Sequence, residues 1–225
     1  RVLVAGGGGS AKTGISNTVG VFDVKPSTAG KQLAKLTERG STDTGTDLVT
    51  AMSVSPDNSL LACSIGGNCR LYEVIREAKS QRLHHVVDVA TDFADDYPTQ
   101  NVAAFNSDNT RLATGGADGA VRLWRLSFKS SGGRRSVGGK PVADASGPPA
   151  SSADSVDSDP AVAAGSVATG STRSGKEVQV SLVQALQGHT RAVHDLATPR
   201  TGNMLVSASA DGTCRLWNMS SGQGV

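Results

Sequence analysis

Residues Gly6, Gly7, Gly8, Gly9, Ser10, Ala11, Lys12 and Thr13 fall one position short of a phosphate-binding loop, because Ala11 stands where the second glycine belongs. In such a loop successive backbone N–H groups cradle phosphate, the lysine reaches the terminal phosphates and the hydroxyl residue holds Mg²⁺. Gly6, Gly8 and Ala11 also satisfy the alternative form of the dinucleotide fingerprint. Either chemistry needs a helix directly after the loop, since the N–H groups of its first turn bind the anion. None is legible here. Gly14, Asn17 and Gly20 punctuate the segment, and Thr18-Val19-Gly20-Val21-Phe22-Asp23-Val24 alternates as a strand does. The expectation is a strand, a long glycine turn whose backbone can reach conformations closed to other residues, and a second strand.

Other reactive side chains are sparse. His84 and His85 alternate along a predicted strand and so point to opposite faces, a poor metal pair. Asp92, Asp95 and Asp96 lie in a turn-like stretch ending in Tyr97-Pro98 and read as loop-solvating. Arg134-Arg135-Ser136 reads as a solvated charge pair before it reads as a kinase site. No spacing supports a Ser-His-Asp, Cys-His or paired-carboxylate arrangement. A net charge of +2, with no basic run interleaved with aromatics, argues against nucleic acid as a partner. Cys63, Cys69 and Cys214 have neither disulfide nor zinc spacing and read as reduced thiols.

The elements that must position the loop form a repeat. One copy runs from Leu186-Gln187-Gly188-His189 through Val193-His194-Asp195-Leu196 and Met204 to Ser209, then Asp211-Gly212 and Arg215-Leu216-Trp217. A second holds Val102 to Phe105, Leu112 to Gly115, Asp118-Gly119 and Arg122-Leu123-Trp124. A third, more worn, holds Val49 to Val54, Leu60 to Ile65, Gly66-Gly67 and Arg70-Leu71-Tyr72. Four short strands per unit, with Gly-His and Trp signals, resemble WD repeats, the blades of a β-propeller. The fold class expected is all-β, a WD-repeat β-propeller, seven-bladed when complete and present here in part. Residues 1–126 are read as blades with the glycine loop at 6–17. Residues 127–176, rich in Ser, Gly, Ala and Pro, are read as a disordered insertion, and 177–225 as a further blade. The WD resemblance assigns His189, Ser207, Asp211 and Trp217 to a hydrogen-bonded tetrad. The second copy retains Thr114, Asp118 and Trp124, and the third has Gly66 and Tyr72 in place of Asp and Trp. Aligning Leu3 with Leu205 and Phe22 with Trp217 makes the glycine loop an enlarged turn between the second and third strands of the first blade, on a propeller face where binding loops gather.

A WD-repeat chain whose first blade carries Gly-Gly-Gly-Gly-Ser-Ala-Lys-Thr-Gly-Ile-Ser-Asn resembles the endoplasmic-reticulum guanine-nucleotide exchange factors of the Sar GTPase, the prolactin regulatory element-binding protein family. The resemblance implies that Gly6, Gly7, Gly8, Gly9, Lys12, Gly14, Ile15 and Asn17 form the exchange loop. It implies a potassium ion on the main-chain carbonyls of Gly6, Gly7, Gly8 and Gly9, and the Sar GTPase as partner. It also implies that the propeller faces the cytosol from the endoplasmic-reticulum membrane, with the anchor and remaining blades outside this chain, which reads as an internal fragment. A WD scaffold without exchange activity is the competing reading. A DNA-binding regulator is a third, weakened by the near-neutral charge.

Overall fold

A computed structural model describes residues 1–9, 13–26, 34–77, 80–130 and 166–224. Among the described residues there are fifteen strands in four antiparallel sheets and no helix. The first sheet joins β1 (Val2–Gly6), β2 (Asn17–Pro26) and β3 (Ala34–Gly45). The second is a four-stranded meander of β4 (Val49–Val54), β5 (Leu60–Ile65), β6 (Asn68–Arg76) and β7 (Gln81–Ala90). The third contains β8 (Gln100–Phe105), β9 (Arg111–Gly116), β10 (Val121–Ser130), β11 (Val167–Ser171) and β12 (Lys176–Leu186), in the order β8-β9-β10-β12-β11. The last joins β13 (Val193–Ala197), β14 (Met204–Ser209) and β15 (Cys214–Asn218).

The sheets stack face to face as blades. All six residues of β5 are buried, because that strand is covered by a neighbouring sheet on each side. Tyr72, Leu61 and Val19 fill the first inter-blade layer. Trp124, Leu112, Leu71 and Val178 fill the second, and Trp217, Leu123 and Leu205 the third. Full burial of a Leu-sized side chain contributes about 1.5–3 kcal/mol, so these layers fix how neighbouring blades pack. The innermost strands β4, β8 and β13 lie side by side. The turns that follow β4 and β8 repeat one design. Asp57 Oδ1 accepts the Ser59 N–H at 3.0 Å and Asp108 Oδ1 accepts the Thr110 N–H at 2.9 Å. Asn58 and Asn109 supply the left-handed residue, at φ 58° and 61°.

Three sequence expectations change. Strand β10 continues to Ser130 and β11 opens at Val167, so the ends of the 127–176 segment are strand rather than disordered; 131–165 lie outside the described residues. Strand β12 pairs with β10 through Ser130↔Lys176, which makes it the fourth strand of the third sheet, with β11 beyond it at the edge, rather than the start of a separate unit at 177. Finally, Leu3 pairs with Val21, whereas Leu205 pairs with Trp217. Val21, not Phe22, therefore stands opposite Leu3 at the position of the tryptophan. A bulge between Val21 and Phe22 accompanies the shift.

Candidate functional site

The glycine loop joins β1 to β2, both ordinary strands, so among the described residues no helix follows it to offer the N-terminus that a phosphate-binding loop needs. Asn17, 4% exposed at the start of β2, closes the loop. Its Oδ1 accepts the Gly9 N–H at 2.8 Å. Its Nδ2 donates to the carbonyls of Gly9 at 3.0 Å, Gly45 at 3.0 Å and Thr46 at 2.9 Å. Three acceptors thus share an amide with two hydrogens. Across the loop the Gly8 N–H reaches the Ile15 carbonyl at 3.3 Å. The glycines serve different ends. A Cβ on Gly7 would overlap Asn17, and one on Gly8 would overlap Thr13 and press on the Ile15 carbonyl. Gly9 sits at φ 64° and Gly14 at φ 76°. Gly6 has open space and ordinary φ. Ile15 stands out from the loop, 65% exposed. Lys12, Ser10 and Ala11 lie outside the described residues.

The loop is one member of a continuous rim. Asn17 ties it to the β3–β4 loop at Gly45 and Thr46, and Arg70 Nη1 donates to the Thr44 carbonyl at 2.7 Å. The turn Gly66-Gly67 accepts the N–H groups of Thr91 and Gln100 at 3.0 and 2.7 Å. Ala117 N–H reaches the Thr99 carbonyl at 2.9 Å, and Gly119 packs on the carbonyls of His189 and Arg191. Turns and loops of all four blades therefore share this face.

At the far end of the rim the expected tetrad is assembled. The His189 Nδ1–H donates to Asp211 Oδ2 at 2.9 Å, the Ser207 hydroxyl donates to Nε2 at 2.7 Å, and the Trp217 Nε1–H donates to Ser207 Oγ at 2.8 Å. The Thr213 hydroxyl at 2.6 Å, then His189 and the N–H groups of Thr213 and Thr190, hold the Asp211 carboxyl well below the usual carboxylate range. His189 is a satisfied structural histidine with both ring nitrogens engaged. In the third blade Trp124 Nε1–H donates to Thr114 Oγ1 at 2.9 Å, and Asp118 pairs with buried Arg122 at 2.6 Å instead of a histidine. In the second, Gln100 Nε2 donates to Ser64 Oγ at 2.9 Å and Gln100 Oε1 accepts from Thr91, with Gly66 in the turn and Tyr72 below. Neither Gln100 nor Arg122 was singled out from the sequence, and the position of Ser207 is taken in the second blade by Cys63, opposite Arg70.

The WD domain, G-beta repeat family matches residues 30–73, 98–125 and 180–218. The fold is an all-β WD-repeat β-propeller, present here in part. This WD-repeat chain is 29% identical over 162 residues to the rat guanine nucleotide-exchange factor SEC12 and 28% identical to the mouse protein. Each match covers 56% of this chain and 37% of the relative, so the chain spans little more than a third of the curated relatives it matches. Among solved structures it resembles Chaetomium thermophilum Sqt1, with TM-score 0.53, 17% identity, and coverage of 93% of this chain and 40% of that one. Sqt1 bound to the N-terminus of ribosomal protein L10 aligns with TM-score 0.52 at 16% identity, covering 93% of this chain and 44% of the other. At those identities the likeness concerns fold alone.

Of the site residues expected from sequence, Gly6, Gly7, Gly8, Gly9, Gly14, Ile15 and Asn17 are gathered in the one turn. The residues that the sequence reading did not single out are those of the β3–β4 loop, Gly45 and Thr46, whose carbonyls converge with that of Gly9. Asp43-Thr44-Gly45 carries a turn signal, but nothing local says which loop it faces. A cavity of about 720 Å³ lies elsewhere, lined by residues of β4, β8 and β13, among them Met52, Ala103 and Leu196. No helix among the described residues is long and apolar enough to cross a membrane.

Proposed function

We propose that this WD-repeat propeller is part of a guanine-nucleotide exchange factor for the Sar GTPase, working at the cytosolic face of the endoplasmic reticulum to start coat-protein-complex-II assembly and export. Its membrane anchor lies in a segment outside this chain. The observation that carries the reading is the enlarged glycine turn on the blade rim, in a chain similar to SEC12 exchange factors. Exchange asks no covalent step of the protein. The GTPase holds its nucleotide with its own phosphate-binding loop, Mg²⁺ and switch segments. A partner that binds the nucleotide-free state better must, by linkage, weaken nucleotide binding. Ile15, exposed on a turn whose ends are tied down by Asn17, is suited to be a pre-ordered apolar contact.

The potassium ion implied by the family resemblance belongs to the same proposal. Neutral main-chain carbonyls are suitable hard oxygen donors for such a cation. The carbonyls of Gly9, Gly45 and Thr46, which outnumber the Asn17 amide hydrogens they share, are the groups that would hold it. Of the four glycines expected, only Gly9 contributes a carbonyl to that convergence. When bound, the ion supplies positive charge that ties the loop to its neighbour. Lys12, an ammonium without acceptor, is no ligand.

The test is release of a fluorescent guanine nucleotide from the Sar GTPase, with the wild-type chain and with Gly7→Val/Gly8→Val, in potassium and in sodium buffer. The double variant is expected to lose most of the acceleration while keeping its blades folded. Full acceleration by that variant, with no potassium dependence, would replace exchange through this loop by the reading of a WD scaffold with a long turn.

A further inference from the structure

A second feature of the same rim is the loop from Thr91 to Thr99, between the second and third blades. It is strapped rigidly. Asp92 Oδ1 accepts the N–H groups of Ala94 and Thr99, each at 3.1 Å, and Asp92 Oδ2 accepts the Asp118 N–H at 3.1 Å. Asp118 Oδ2 accepts the Phe93 N–H at 3.1 Å, and Arg122 Nη1 donates to the Thr91 carbonyl at 2.9 Å. The buried Arg122 guanidinium lies 4.7 Å beneath the Phe93 ring. What this rigid frame presents is unusual for a chain with so few aromatics: Tyr97 is 84% exposed and Phe93 46% exposed, with Asp95 and Asp96 exposed between them.

Charge identifies the occupant. Residues 91–99 contain three aspartates and no Lys or Arg, and the neighbouring rim loop, residues 43–48, contributes exposed Asp43 and Asp47, also without a basic residue. The two loops together carry five aspartates, and the one basic side chain bonded to the 43–48 loop among the described contacts, Arg70, is already paired with Asp88. Exposed aromatic faces held rigid beside carboxylates fit a partner segment rich in Arg or Lys, which stacks on the rings and pairs with the acids. A stable interface covers about 800 Å² on each partner.

We propose that the loop at 91–99 is a second docking element of the exchange surface, receiving a basic segment of the same GTPase that the glycine turn engages, with Tyr97 as anchor and Asp95 and Asp96 setting the encounter rate. This rests on the exchange reading above. Rim charges act chiefly on association, whereas an aromatic anchor acts on dissociation.

The experiment measures binding of nucleotide-free GTPase to the immobilised chain, together with nucleotide release, at low and high salt. The variants are Asp95→Lys, Tyr97→Ala and the charge-matched control Glu177→Lys, which is exposed near the opposite end of β12. Asp95→Lys should slow association roughly tenfold at low salt, with the difference shrinking at high salt. Tyr97→Ala should speed dissociation roughly tenfold at either salt, and Glu177→Lys should match wild type. Wild-type exchange accompanied by unchanged binding of both loop variants overturns the second docking element and leaves the exchange reading standing. A wild-type chain that neither binds the GTPase nor releases its nucleotide overturns both.

Discussion

Two turns occupy the same place in two blades and are built on opposite plans. In the last blade β14 passes to β15 through residues 209–213, and the turn is held from beneath by side chains: Asp211, His189, Ser207 and Trp217 in one hydrogen-bonded line into the core. In the first blade β1 passes to β2 through residues 7–17, and the only buried polar side chain that holds the turn among the described residues is Asn17, bonded entirely to backbone. The first plan stabilises the blade by burying a satisfied polar chain under a tryptophan. The second leaves main-chain groups and an exposed Ile15 near the surface, available to another molecule. On the exchange reading proposed above, stability and recognition fall to different blades of one scaffold.

The contrast can be broken experimentally. The largest effect is expected from Trp217→Ala, which opens a cavity in the third inter-blade layer and removes one of the two hydrogen bonds at Ser207 Oγ; about 3–5 kcal/mol should be lost, read by urea unfolding. Asn17→Ala should cost less in stability, about 1–3 kcal/mol, yet remove most nucleotide-exchange acceleration. Equal stability losses for the two would erase the division between a structural and a recognition turn. A smaller effect separates the glycines. Gly9→Ala, at positive φ, should cost about 1–2 kcal/mol, and Gly6→Ala, with room for its methyl, less than about 0.5 kcal/mol. Both are measurable by thermal unfolding.

The two turns also differ in their response to acid. The folded-state carboxyl of Asp211 titrates below its ordinary value of 3.8, so its contribution is fully present above that value. It is lost as pH falls from there toward the folded-state value. The tetrad blade should therefore keep its stability from neutral pH down to about pH 4 and weaken below it. Asp211→Asn should flatten that acid limb of the stability curve in calorimetry. The side chain that closes the glycine turn, Asn17, does not titrate, so its hydrogen bonds should persist through the same pH range.

The blades were legible in the sequence because each is written locally. Strand alternation, Asp-Gly turns and the Arg-Leu-aromatic endings lie within one repeat, and the resemblance to WD repeats then assigns the tetrad of His189, Ser207, Asp211 and Trp217 by position. The worn repeats were harder. In the second blade Cys63 stands opposite Arg70 where Ser207 stands opposite Arg215, and in the third Asp118 takes Arg122 as its partner from the strand beyond the turn, so neither blade shows the residue pattern that marks the motif. Strand β11 was invisible for a related reason. Val167-Ala168-Thr169-Gly170-Ser171 has the composition of the insertion around it, and becomes a strand by pairing with β12 and packing on β7.

At the glycine turn the sequence by itself determined the run of glycines, the absence of a following helix and the strands that bracket it, since backbone freedom and alternation are properties of neighbouring residues. Only the tertiary structure decided that Gly7 and Gly8 are required by the approach of Asn17 and Thr13, and that Gly9 shares its carbonyl point with Gly45 and Thr46. Likewise only the tertiary structure set the 91–99 loop on the same rim. Those relations join residues far apart in the chain, and distance in space is settled by the packing of one blade on the next.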